Sequence, residues 1–355
     1  MKSIVVTPRV QGSLKLMDMD IPQVGEKEVL LKVLKVGVCG TDRDIIAGFY
    51  GEAPEGSSYL VIGHESLCRI EEVGSGVDTF RKGELVVPTV RRNCPENCES
   101  CRNGMSDMCL TGHYKEHGIK QLHGFAREYA ISDSGFIVKL PESLSDAGIL
   151  LEPLTIVEKG ISVSYAMQNS RLPWRPERAI VLGAGPVGLL ATAVLRLKGL
   201  EVDTVATRPE DSLKARLAEQ TGASYINAAK NPLATLENRY DLVLEVTGNV
   251  SVAVEAQKLA RVNGIVSYLG IYKETTATED AGKIFTDLVL GNRVYFGSVN
   301  ANKKYFQAGV DDLIRIQQEW SGFLGKMITK RVRPEGLSEA YGPVGPDGIK
   351  NIIEF

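Results

Sequence analysis

Two side chains in the first part of the chain are suited to holding a metal: Cys39, in Val38-Cys39-Gly40-Thr41-Asp42, and His64, in Ile62-Gly63-His64-Glu65. A thiol and an imidazole about two dozen residues apart, with the Glu65 carboxylate beside them, match the mixed ligand set of a catalytic zinc. Such a site uses three protein ligands and keeps one position for substrate or water. On spacing alone the pair reads equally well as a buried thiol and a surface or core histidine.

A second group is denser. Cys94, Cys98, Cys101 and Cys109 are spaced C-x3-C-x2-C-x7-C, with Asn, Pro, Glu, Ser and Gly between them. Four thiolates close a tetrahedral zinc shell and leave no open position, so this metal would be structural, organising a loop without a core of its own. No basic recognition helix follows, which argues against a DNA-binding zinc module. Cys68 lies within an apolar strand pattern and reads as a buried bystander. Loops are expected to carry nearly all the cysteines, Cys39 included, and every histidine; His113, His117 and His123 share one loop region, 111–124, with surface or structural roles expected. Glu116 in that stretch could reach a substrate, which spacing alone does not show.

These residues need a scaffold. From Met1 to about Pro141 the apolar runs are short and β-branched, separated by Gly, Pro and Asp. Strands are expected at Ile4–Thr7, Val29–Val36, Cys68–Val73, Leu85–Thr89, Ala126–Ile131 and Phe136–Leu140, as a partly closed β-barrel with long loops. The second half alternates. An apolar strand, Ala179–Leu182, runs into Gly183-Ala184-Gly185-Pro186-Val187-Gly188 and an apolar helix over Leu189–Leu197. This is G-x-G-x-x-G in the strand–turn–helix setting that binds a dinucleotide: glycines for the turn, for approach of the pyrophosphate and for helix packing.

The next strand, Val202–Thr207, ends in Thr207-Arg208 with no acid to hold both ribose hydroxyls; Asp203 falls too early. Arg208 with Thr207 suits a 2′-phosphate, so NADP preference is expected, with NAD as a second cofactor. Strands Asp241–Val246, Ile265–Leu269 and Val294–Gly297 end at Thr247, at Leu269-Gly270 and at Ser298-Val299-Asn300, lining one crevice. A helix over Tyr305–Gln318 follows, and a last strand, Asn351–Phe355, is expected to rejoin the first domain.

The chain has 355 residues, enough for two domains, with 43% apolar and 24% charged residues. A formal net charge of −3 gives no electrostatic case for nucleic acid or an anionic membrane. No apolar run approaches a membrane span, and Met1–Thr7 reads as a strand, not a signal peptide. A cytoplasmic location is expected, where cysteines act as ligands or free thiols.

Over nearly its full length the chain resembles the zinc-dependent medium-chain alcohol dehydrogenases, and among them the archaeal glucose 1-dehydrogenases. The stretches that carry the likeness are Gly37–Arg43, Gly63-His64-Glu65, Val86-Val87-Pro88 with Arg91-Arg92, the cysteine lobe, Leu122-His123-Gly124-Phe125, Glu152-Pro153-Leu154 with Glu158-Lys159, the Rossmann glycines and Gly297–Asn300. The resemblance implies an α/β protein: a GroES-like β-barrel catalytic domain (1–175 and 303–355) and a doubly wound Rossmann domain (176–302). It implies two zincs per chain, one on Cys39, His64 and the carboxylates Glu65 or Glu152, the other in the lobe. Thr41 resembles the hydroxyl that bonds the reacting sugar oxygen, and Glu116, Glu152 and Asn300 match sugar-holding positions. The implied reaction is oxidation of an aldose at C1 to the lactone, with D-glucose first and D-galactose as an alternative. The run Arg293–Val299 is expected to be an edge strand that pairs between subunits, giving a homodimer or homotetramer. A polyol or alcohol dehydrogenase of the same fold and a non-catalytic NADP-binding protein are the competing readings. Four departures are expected to tune the protein without changing the chemistry: Ile156 and Val90 where some sugar-binding relatives carry polar residues, one extra residue in the first gap of the lobe, and Pro209 where relatives place a second Arg.

Overall fold

The structure is a computed structural model that describes residues 1–273, 276 and 280–355. The chain divides into two units. One comprises Met1–Glu152, Asn300–Ile314 and Leu324–Phe355; the other comprises Pro153–Val299 and Arg315–Phe323. This division and the expected boundary near residue 175 lie at opposite ends of a 19-residue helix, Leu151–Asn169.

The first unit is built around the strand Glu28–Val38, whose Val29, Leu31, Val33 and Val36 point into a common core. Each such fully buried aliphatic side chain contributes roughly 1.5–3 kcal/mol. The strand lies in a seven-stranded sheet in the order Ile137–Lys139, Leu85–Pro88, Glu65–Val73, Glu28–Val38, Lys350–Glu354, Ile328–Val332, with Tyr129–Asp133 also paired to Glu28–Val38. The antiparallel register puts Gly37 opposite Glu65 on one side and opposite Ile352 on the other. The C-terminal strand thus brings Lys350 to the end of the central strand, one residue before Cys39.

Two expectations for this unit need correction. The stretch after Val38 is helical, not loop: Gly40–Ile46 is a short helix with Cys39 as its N-cap. Residues 111–124 are not a plain loop either. Lys115–His117 pairs with Arg91–Arg92 and with Gln121–Leu122 in a small three-stranded sheet. Both elements are too short to show a periodicity.

The second unit carries a six-stranded, all-parallel sheet in the order Ser224–Asn227, Glu201–Ala206, Arg178–Leu182, Tyr240–Glu245, Ala260–Tyr268, Val294–Gly297. The strand order reverses between Arg178–Leu182 and Tyr240–Glu245, so a crevice opens at their carboxyl ends. Gly183 adopts φ +117, and a Cβ on Gly188 would lie 1.8 Å from the Gly183 carbonyl oxygen. Only glycine fits at either position. The helix Pro186–Leu197 starts with Gly185 as N-cap and Pro186 in its first turn, where a missing N–H costs nothing. Among the described residues no helix is long and apolar enough to cross a membrane.

Candidate metal centre and cofactor site

Cys39 caps the helix Gly40–Ile46, and its sulfur accepts from the Thr41 amide at 3.2 Å. Asp42 completes the cap by accepting from the Cys39 amide at 2.9 Å. The other Asp42 oxygen stands 3.5 Å from His64 Nδ1, and His64 Nε2 stands 3.1 Å from the Cys39 sulfur. One carboxylate therefore fixes the cap and turns the imidazole, leaving Nε2 to face the thiol. The ligand atoms of Cys39, His64 and Glu65 all lie within 4.8 Å of one another.

This donor set fits a zinc. Cys39, Asp42, Glu65 and Glu152 gather around a single buried ammonium, Lys350, and anions excluded from water need a compensating cation. Burial works to lower the pKa of His64, yet the neighbouring Cys39 and Asp42 hold it well above its ordinary value. The surroundings thus favour positive charge at the point where a metal would sit.

Glu152 is the second residue of the helix Leu151–Asn169 and is not one of the three clustered ligands. Burial, with Glu65 and Asp42 adding to it and His64 and Lys350 opposing, pushes its carboxyl up to about 7. Burial pushes the Tyr50 phenol up to about 12, with the neighbouring Thr41 hydroxyl opposing.

Glu116 lies directly across the strand pair from Arg91 and also accepts from Asn300 Nδ2 at 3.0 Å. The two residues expected to hold a sugar are therefore in contact. Gly118 and Gly124, which follow Glu116, pack so tightly on Gly63 that a Cβ on either would come within 2.6 Å of Gly63 backbone atoms. This segment is thereby held against the residue that precedes His64.

The four lobe sulfurs also lie within 4.8 Å of one another. Cys98 and Cys109 are 4.0 Å apart, far beyond a disulfide. Amides of Cys98, Cys94 and Leu110 donate to Cys94, Cys101 and Cys98 sulfurs respectively. Burial opposes ionisation of Cys109, but hydrogen bonds from Thr111 and Gly112 bring it down to about 6. Inward N–H groups around four clustered sulfurs suit a closed zinc shell. Cys68 is fully buried in the core, and burial pushes its thiol up to about 12. His117 Nδ1 donates to the His123 carbonyl at 2.7 Å, His123 stacks on Tyr59, and His113 pairs with Glu96.

In the second unit a cavity of about 350 Å³ is lined by Gly183, Ala184, Gly185, Thr207, Arg208 and Thr247, among others. Nothing lies within 4 Å of where a Gly185 Cβ would be, so the approach to the helix terminus is open. Pro186, Val187 and Gly188 form the first turn behind it. Asp203, excluded on sequence grounds as a ribose ligand, accepts instead from Tyr240 Oη at 2.5 Å. Leu269 packs on Gly160, its amide donating to the Glu245 carbonyl. Gly270 packs on Gly248, and the Ser298 amide donates to the Tyr268 carbonyl. The Val299 carbonyl accepts from buried Lys159 at 2.9 Å.

Four residues near these sites have no role assigned from the sequence: Asp42, Lys350, Arg91 and Lys214. Asp42 adjoins a motif residue and could have been found as the third residue of a capping box. Lys214, also lining the cavity, sits at the start of the helix Leu213–Gln220. Lys350 and Arg91 have no local signal; long-range strand pairing places them.

The chain matches two family models: the alcohol dehydrogenase GroES-like domain over residues 25–142 and the glucose dehydrogenase C-terminus over residues 145–355. It is 46% identical over 355 residues to glucose 1-dehydrogenase 1 of Caldivirga maquilingensis, covering 100% of this chain and 99% of that one. The chain belongs to the glucose dehydrogenase family. Glucose 1-dehydrogenase of Methanocella arvoryzae, in the same family, is 46% identical, again covering 100% of this chain and 99% of that one. Among solved structures, Haloferax mediterranei glucose dehydrogenase in complex with NADP, zinc and gluconolactone superposes with a TM-score of 0.91 at 30% identity, covering 100% and 99% of the two chains. Family membership carries the architecture expected from the sequence, a GroES-like domain with a Rossmann domain. Galactitol-1-phosphate dehydrogenase of Escherichia coli, at 21% identity and a TM-score of 0.83, shares that fold.

Proposed function

We propose that this chain oxidises an aldose at C1 to the lactone, D-glucose first and D-galactose as an alternative, with NADP as preferred hydride acceptor and NAD as the weaker one. The carrying observation is the Cys39–His64–Glu65 cluster, with Cys39 half-buried and the other two buried, in a chain 46% identical over its full length to a glucose 1-dehydrogenase.

In this reading Cys39, His64 and Glu65 hold a catalytic zinc, with Glu152 as a further carboxylate for metal or sugar, and Cys94, Cys98, Cys101 and Cys109 hold a structural zinc. When bound, the catalytic zinc supplies a Lewis acid that lowers the pKa of the anomeric hydroxyl. Asp42 keeps the His64 ring in one orientation, and Lys350 restrains Glu65. Thr41 accepts a hydrogen bond from the anomeric hydroxyl, whose proton leaves through Thr41, which gives up its own proton to solvent, or through a nearby carboxylate, Glu65 or Glu152. Glu116 and Asn300 orient the ring through its other hydroxyls. As the proton leaves, the C1 hydrogen departs as hydride to the nicotinamide.

For the cofactor, amides of Gly183–Gly188 take the pyrophosphate at the N-terminus of the helix Pro186–Leu197. Thr207, Arg208 and Lys214 take the 2′-phosphate, with Lys214 supplying the second cation that Pro209 does not. Thr247, Leu269, Gly270, Ser298, Val299 and Asn300 serve the nicotinamide half. The edge strand Val294–Gly297 would pair with a second copy in a homodimer or homotetramer, and cysteines suited to metal ligation fit a cytoplasmic location.

The test is NADP reduction by the zinc-loaded protein over glucose, galactose, xylose and simple alcohols. Glucose or galactose should give the highest kcat/KM and the lactone as product. A simple alcohol outperforming every sugar would overturn the reading.

A further inference from the structure

We propose that Arg91 is a positioning residue for the sugar: it locks one oxygen of Glu116 and so presents the other to a substrate hydroxyl. This rests on the reading of Glu116 as a sugar ligand.

Arg91 and Glu116 are register partners in the antiparallel pair Arg91–Arg92 with Lys115–His117, and both are buried. Arg91 Nε donates to Glu116 Oε1 at 3.0 Å, and Nη2 stands 2.9 Å from the same oxygen as an ion pair. Asn300 Nδ2 adds a second hydrogen bond to the same oxygen at 3.0 Å. Two hydrogen bonds occupy the two lone pairs of Oε1, and the guanidinium crowds it further, so it has no capacity left for a ligand. Oε2 receives no hydrogen bond among the described residues, so it is the acceptor available to a hydroxyl.

The guanidinium is itself held on three sides. Its remaining nitrogen, Nη1, donates to the Asp107 carbonyl at 3.1 Å. The Tyr114 ring lies 3.5 Å from its carbon. Asp107 lies in the cysteine lobe between Cys101 and Cys109, and its side chain accepts from Asn302 Nδ2 at 2.9 Å. Both ends of the network are therefore anchored: one in the lobe, the other in Asn300–Asn302. A planar fork suits this place and an ammonium does not, because two nitrogens must reach one oxygen while a third points to the lobe.

The group is costly to bury unless it has a use. A charged pair of this kind could be replaced by apolar residues of similar volume with little loss of stability. What an apolar pair could not supply is a carboxylate with one oxygen saturated and the other presented.

The experiment compares Arg91→Met, Arg91→Lys and Glu116→Ala in the full-length, zinc-loaded protein. The readouts are KM and kcat for glucose, the NADPH dissociation constant by fluorescence titration, zinc content and thermal unfolding. Hydrogen bonds to charged groups set the expected scale: Arg91→Met should raise KM for glucose by about 10–100-fold while kcat changes by less than about 3-fold. NADPH affinity and zinc content should be unchanged, Arg91→Lys should fall between, and Arg91→Met added to Glu116→Ala should have little further effect on KM. If Arg91→Met does not fold, Arg91→Lys decides: a raised KM with unchanged kcat supports the proposal, and an unchanged KM overturns it. If Glu116→Ala raises KM and neither Arg91 variant does, Glu116 binds sugar without Arg91 and the proposal falls alone. If Glu116→Ala leaves KM unchanged, the reading of Glu116 as a sugar ligand fails, and the proposal with it.

Discussion

Lys350 pairs with Glu65 across the bare backbone of Gly37. The two charged residues come from strands on either side of Glu28–Val38, and both are almost completely buried. A Cβ on Gly37 would lie 2.0 Å from Glu65 Oε2 and 2.9 Å from Lys350 Cε. A glycine in the interior of a strand weakens it, and here it opens the path for one side chain to reach another. The pair fixes the residue that follows His64, and through it one wall of the metal centre.

Removing one partner of a buried ion pair leaves the other charged and unsolvated. Lys350→Met should therefore destabilise the protein by about 3–5 kcal/mol, read by urea unfolding. Gly37→Ala should cost about 1–3 kcal/mol through overpacking at the same place. A loss below about 0.5 kcal/mol in both variants would show that the pair has no structural part.

The stability of the first unit should depend on pH through His117. Burial, with help from Arg92, holds its pKa well below the ordinary histidine value. The sign follows from linkage: above about 6.5 both folded and unfolded forms are neutral, and below it the unfolded chain takes up a proton that the folded one refuses. Stability from this residue is thus present above about 6.5 and is lost as pH falls, at up to about 1.4 kcal/mol per pH unit. His117→Asn removes the effect, so the gap in unfolding free energy between the protein and this variant should narrow from pH 7 to pH 5. A gap independent of pH would contradict the assignment.

Much of this organisation is legible in the residues, and the exceptions have physical causes. The glycine motif announces itself because turn, pyrophosphate approach and helix packing all demand small residues within six positions of one another. The four lobe cysteines do so because their spacing is local. The helix Leu151–Asn169 does not: its residues are buried on several faces, so no single apolar stripe marks it. Arg91 and Lys350 are ordinary basic residues until strand pairing sets them opposite Glu116 and beside Glu65. No local pattern encodes that register.

Cofactor choice should rest on two cations lining the cavity of the second unit, Arg208 and Lys214. Each charge-assisted contact to a 2′-phosphate is worth roughly 1.5–3 kcal/mol, or about 10–100-fold. Arg208→Ala should lower the ratio of NADP to NAD efficiency by about that factor, and Lys214→Ala should move it in the same direction. The variants should leave NAD efficiency nearly unchanged. An unaltered ratio in Arg208→Ala would remove the 2′-phosphate from this position.

The central claim is that the Cys39–His64–Glu65 cluster holds the metal on which sugar oxidation depends. The most direct measurement is zinc content beside glucose-dependent NADP reduction in Cys39→Ala. The account predicts two zincs per chain in the unaltered protein and one in the variant, with turnover abolished, NADPH binding retained and the lobe intact. Two zincs in the variant, or undiminished turnover with one, would contradict it.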